Sequence, residues 1–130
     1  MANSARTILV ADGDPHLLKC VRQALDSLGR RHELMVVSQP SELQQYLQNT
    51  QRASRPPAAI VLNMREARGI ALLAWIRNQR NGIADIPIVA VGGDPGAAIL
   101  HNGDAAVRSP AAELIVDALR RVLANDGHQE

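Results

Sequence analysis

The sequence predicts a three-layer α/β/α domain built on one five-stranded parallel sheet. The first support is three apolar runs, residues 7–11, 59–62 and 86–91, that are short, rich in β-branched residues and do not alternate. Strands covered on both faces read this way. The second is that segments of helical period fill the gaps between the runs. The third is that each run stops at turn residues: Asp12-Gly13-Asp14-Pro15, Asn63, and Gly92-Gly93-Asp94-Pro95.

The elements follow in chain order. After the first strand, Pro15 suits an opening helical turn, Leu17, Val21, Leu25 and Leu28 recur at three and four, and Gly29 closes the segment. A weaker strand is expected at residues 34–37. Behind Pro40, Leu43 and Leu47 repeat at four with Tyr46 beside them, and residues 50–57 are expected as a surface loop. The third helix is expected from Gly69 to about Arg80, with Ile70, Leu73 and Ile76 as its stripe and Asn81-Gly82 as its stop. Between Pro95 and Gly103 there is room for only a short helix, residues 96–101, before a short last strand at 105–108. The final helix, residues 111–124, puts Ile115, Leu119 and Val122 on one face and Glu113, Asp117, Arg120 and Arg121 opposite. Right-handed crossovers turn this order into an open parallel sheet with helices on both faces. Function in such sheets sits beyond the carboxyl ends of the strands.

Composition sets the remaining bounds. The 130 residues suit one domain, with a core over about residues 6–124 and a polar tail at 125–130. Apolar residues make up 46% of the chain, but Phe is absent and Trp75 and Tyr46 stand alone, so the core must be aliphatic. Lysine and arginine total 14 against 13 acids, a net charge of +1, with the basic residues scattered. That is no footprint for nucleic acid or a membrane surface. Cys20, the single cysteine, excludes an internal disulfide framework and a Cys-rich zinc site, and its place near the apolar face of the first helix marks a small core residue. The first residues carry no signal-peptide core and no run is long enough to span a bilayer, so a cytoplasmic protein is expected.

Taken together, the strand ends resemble the receiver domain of bacterial two-component response regulators over essentially the whole chain. Residues 8–15 resemble that family's first strand and acidic turn, and residues 57–63 its third strand running into the phosphoacceptor. Gly69 to Leu73 with Ile76-Arg77 resemble its third helix, residues 86–91 its fourth strand, and Gly103 with Ser109-Pro110 its fifth strand and closing Lys-Pro. The resemblance implies a flavodoxin-like fold with strand order 2-1-3-4-5 and a part in phosphorelay signalling. It also implies phosphoryl transfer to an aspartate, assisted by Mg²⁺ and a lysine, a chemistry that is almost wholly electrostatic.

Residue by residue, that chemistry is missing. Asp12 matches the first acid, but Gly13 replaces the second, and Asn63 stands at the phosphoacceptor position. A neutral amide cannot form an acyl phosphate. Gly92 takes the place of a Thr or Ser hydroxyl, Ser109 that of the lysine, and Ala106 that of the aromatic switch residue. The loop after Asn63 is about two residues short of the family pattern. The expectation is a degenerate receiver, or pseudo-receiver. It is not an enzyme, has no catalytic residues, needs no cofactor, binds no Mg²⁺, and works through protein partners, a second copy of itself among them.

Other readings attach to the same residues. Arg65 and Arg68 are candidate cations for the strand-end pocket, against the plainer reading of two solvated loop arginines. The Gly92-Gly93-Asp94-Pro95-Gly96 turn is a candidate anion nest, though it lacks the Lys-Ser/Thr of a P-loop. These two features keep open a small-ligand or anion sensor, and Asp12 and Asp14 keep open phosphorylation at an atypical group. Asp14-Pro15-His16 matches the opening of a cobalamin-type D-x-H-x-x-G, but Lys19 stands where the glycine belongs. Trp75 falls well away from the middle of the third helix's stripe. Either it folds back across Ala71 or it serves as an interface anchor.

Overall fold

A computed structural model of the chain describes residues 6–11, 14–28, 32–37, 39–52, 57–65, 67–79, 83–92, 104–108 and 111–127. Strands β1 (Arg6–Val10), β2 (His32–Val36), β3 (Ala59–Asn63), β4 (Ile88–Val91) and β5 (Ala105–Val107) form one sheet in the order β2-β1-β3-β4-β5. Every neighbouring pair is parallel. Helices α1 (Pro15–Leu28), α2 (Pro40–Arg52), α3 (Ala67–Arg77) and α4 (Ala112–Gly127) complete the described elements, with a 3-10 turn at Ile83–Asp85. The expected short helix at 96–101 lies outside the described residues.

Alternation along each strand divides the core in two. Ile8, Val10, Ala59, Val61, Val89, Val91, Ala105 and Val107 face one side, under Leu17, Cys20, Val21 and Ala24 of α1 and Ile115, Ala118, Leu119 and Val122 of α4. Leu9, Ile60, Leu62, Ile88 and Ala90 face the other, under Leu43 and Leu47 of α2 and Leu72, Leu73 and Ile76 of α3. Each fully buried Leu or Ile contributes about 1.5–3 kcal/mol, so the two aliphatic layers hold the fold without large aromatics. Cys20 is buried at 6% exposure, as its place on the helix implied.

Several boundaries differ from expectation, each for a local reason. Strand β2 starts at His32 and ends at Val36 because it is an edge strand in register with 6–10; its polar start gives no apolar signal. In β4, the 3-10 turn takes the Ile86 N–H to the Ile83 carbonyl, and Pro87 has none to give, so the strand begins at Ile88. Helix α2 runs through Thr50 to Arg52, where a loop was expected: the stretch is polar, but no Pro or Gly interrupts it. Its start is fixed by a capping arrangement, with Leu43 N–H on the Gln39 carbonyl and Gln39 N–H on Glu42 Oε1 at 3.3 Å. Likewise α4 extends beyond 124 to Gly127, the first residue in its tail that favours a stop.

Helix α3 shows the largest correction. It begins at Ala67 and ends at Arg77, where the Asn78 and Gln79 amides tighten onto Trp75 and Ile76. Its buried stripe is Gly69, Leu72, Leu73 and Ile76, while Ile70 is 46% exposed. Glycine carries no apolar weight in a hydrophobicity pattern, so the pattern shifts the expected stripe from Gly69 onto its neighbour Ile70.

Candidate functional site

The carboxyl ends of β1, β3, β4 and β5 meet at one edge because the parallel register puts them there. Asn63 pairs with Val91, and Val91 with Val107. The ladder continues past the strands: Ala11 N–H bonds Val61 O at 3.1 Å, Met64 N–H bonds Val91 O at 2.9 Å, and Gly92 N–H bonds Val107 O at 2.7 Å. Asn63 and Gly92 therefore stand at neighbouring strand ends, as expected. Asp12, Gly13, Ser109 and residues 93–103 lie outside the described residues.

Asn63 is half-buried, and its Oδ1 accepts the Arg65 N–H at 3.0 Å. This is an Asx turn, in which a short polar side chain replaces a backbone acceptor and bends the chain sharply. Met64 points inward and is buried at 6% exposure. The helix that follows is pressed against the strand end: a Cβ on Gly69 would meet the Asn63 carbonyl oxygen well inside contact distance and its carbon at 2.8 Å. Glycine is needed here because the obstacle is backbone.

Arg65 crosses to the next strand. Gly92 has φ +79, a conformation favouring glycine, and a Cβ built there would strike Arg65 Cγ and come within 2.7 Å of its Cδ. The alkyl stem of Arg65 thus lies on the bare Gly92 backbone, while the residue as a whole remains exposed. Arg68 is in the first turn of α3, and its side chain lies outside the described residues. Among the described residues, no three His, Cys, Asp or Glu side chains come together as metal ligands.

At the opposite end of the sheet is a pairing that the sequence reading missed. Arg77, at the end of α3, binds Asp104 Oδ2 through Nη2 and donates from Nη1 to Ala84 O at 2.6 Å. Asp104 Oδ1 accepts the Ile88 N–H at 2.9 Å. The two side chains are only 7% and 3% exposed. They tie α3, the 3-10 turn, β4 and the residue before β5 together, away from the carboxyl edge. Partners 27 residues apart, each an ordinary surface type, leave no local signal. Trp75, half-buried, packs on the second core, and its carbonyl accepts from Gln79 Nε2 at 3.1 Å. No helix among the described residues is long and apolar enough to cross a membrane.

No protein-family model matches the sequence, and no curated protein matches it. Solved structures do match by shape. The bacteriophytochrome response regulator RtBRR superposes with a TM-score of 0.70 at 19% identity, over 92% of this chain and 78% of its own. The phosphorylated cyanobacterial phytochrome response regulator RcpA gives 0.70 at 16% identity, covering 94% and 96%. The Mn²⁺-bound form of response regulator Rcp1 gives 0.68 at 20% identity, covering 88% and 91%. At these identities the likeness is one of fold. The five parallel strands in the order 2-1-3-4-5, with helices on both faces, match the flavodoxin-like receiver fold of these response regulators.

Proposed function

We propose that the chain is a receiver-like module of bacterial two-component signalling that acts through protein contacts without aspartyl phosphorylation. The observation that carries this reading is Asn63 at the end of β3, the place the phosphoacceptor takes in the receiver pattern. Phosphoryl transfer needs a carboxylate oxygen as nucleophile, and an amide offers none. RcpA and Rcp1, similar in fold, are described as phosphorylated and Mn²⁺-bound respectively. The donor set of this chain does not fit a hard divalent ion. One first-strand acid, Asp12, remains beside Gly13, and Asn63 Oδ1 already accepts the Arg65 N–H. Mg²⁺ gives up water reluctantly and asks for several oxygen ligands in octahedral array. The degenerate positions Gly92 and Ser109 remove the hydroxyl and the cation as well.

Without a phosphoryl switch, the faces of the module are its means of action. Trp75 is only partly buried on α3, and in this reading it serves as a contact for a protein partner or a second copy. The test is direct: incubate the protein with Mg²⁺ and acetyl phosphate and measure intact mass. No phosphate adduct is expected. A stable adduct of one phosphate would refute the reading, whichever residue carried it.

A further inference from the structure

We propose that Arg65 is a built-in clasp on the sheet edge, holding the turn between β3 and α3 in one conformation by seating its alkyl stem on Gly92. The contact is made from both sides. Gly92 is fixed by its own N–H on Val107 O at 2.7 Å, and its φ of +79 presents a backbone with no side chain in the way. Facing it, the turn is tied down by the Met64 N–H on Val91 O and the Arg65 N–H on Asn63 Oδ1. Between these tethers, Cγ and Cδ of Arg65 occupy the volume that any Cβ at position 92 would claim. The stem makes the contact while the residue as a whole is exposed, as long amphipathic side chains allow.

This has a consequence for regulation. A switch needs two conformations that a ligand or modification can bias. An edge clasped by its own side chain is set in one arrangement before anything binds, so the surface around Asn63 and Gly92 is constitutive. The inference deepens the phosphorylation-independent reading, but the clasp itself rests on geometry alone and is tested apart from it.

The experiment compares amide hydrogen exchange in the wild-type chain, Arg65→Ala and Arg65→Met. Arg65→Ala removes the stem and should speed exchange at the Met64 and Arg65 amides by about tenfold or more, leaving Leu9 and Val61 unchanged. Arg65→Met keeps the stem and loses the charge, so it should hold wild-type protection. Wild-type protection in Arg65→Ala overturns the clasp, and so does a Met variant as loose as the Ala one. A second arm adds Gly92→Ala in both backgrounds. The strain at positive φ is common to both, so a smaller fall in melting temperature in the Arg65→Ala background isolates the clash with the stem. Equal falls overturn it, and if Gly92→Ala does not fold, the exchange arm still decides. A phosphate adduct on the wild-type chain would sink the proposed function and leave the clasp standing.

Discussion

Gly69→Ala sets two effects of opposite sign against each other. Alanine favours the helical state over glycine by about 1 kcal/mol, which on α3 would stabilise the chain. Against this, the new Cβ would overlap the Asn63 carbonyl oxygen and lie 2.8 Å from its carbon. Neither atom can rotate away, because Asn63 is the last residue of β3 and pairs with Val91. Relief requires α3 to back off the sheet, loosening Leu72, Leu73 and Ile76 in the second core. Overpacking of this kind costs about 1–3 kcal/mol, and a backbone obstacle puts it at or beyond the upper end. A net loss of about 2 kcal/mol follows, or about 7 °C of melting temperature at about 2 cal/mol/K of unfolding entropy per residue. Calorimetry of Gly69→Ala measures it, with exposed Ala74→Gly on the same helix calibrating the propensity effect. A melting temperature at or above wild type would refute the close approach of α3 to Asn63.

Asp104→Ala should cost about 3–5 kcal/mol in urea unfolding, because it strands the buried Arg77 charge and the Ile88 N–H together. The double variant Arg77→Met/Asp104→Leu should recover much of that loss, and an additive loss would contradict the pairing. Trp75→Ala should lower stability by about 1–3 kcal/mol, less than the 3–5 of a fully buried aromatic, since Trp75 is only partly buried against the second core. An unchanged melting temperature with weaker self-association in light scattering would assign Trp75 wholly to an interface. If the proposed reading holds, Asn63→Asp alone should gain no phosphate from acetyl phosphate by intact mass, because Gly13 and Ser109 stand in the sequence where the receiver pattern has a second acid and a lysine.

What was legible in the sequence is the part that repeats. The runs at 7–11, 59–62 and 86–91 announced strands buried on both faces, and the structure buries Ile8 to Val10, Ala59 to Leu62 and Ile88 to Val91. Periodicity likewise placed Leu43 and Leu47, and Ile115 and Leu119. It failed where a residue's role comes from what it lacks. Gly69 belongs to the buried stripe of α3 because another backbone touches it, and a hydrophobicity pattern gives such a position no weight. It failed again where polar residues continue a helix, as at Thr50 to Arg52 and from Asn125 to Gly127, because a polar stretch without Gly or Pro is as compatible with a helix end as with a loop. Asn63 and Gly92 were legible as strand ends. The seat of Arg65 on Gly92 was not, since it joins two loops that no local period connects.

The edge and the core answer to different physics, so residues at the one can vary while the other persists. The two aliphatic layers depend on side chains that alternate across the sheet, and Asn63 and Arg65 contribute little to either. Carboxylates gathered at a strand edge repel one another unless a cation sits among them, so an edge that held no such cation would gain nothing in stability from keeping them. An amide at position 63 keeps the acceptor that turns the chain, with Oδ1 on the Arg65 N–H, and carries no charge to be neutralised. A glycine at position 92 leaves the volume that the arginine stem then fills. The amide and the glycine thus each supply part of a contact at the edge. Under the proposed reading, the positions that would take part in a switch make a fixed turn here, and the order of strands beneath them is untouched.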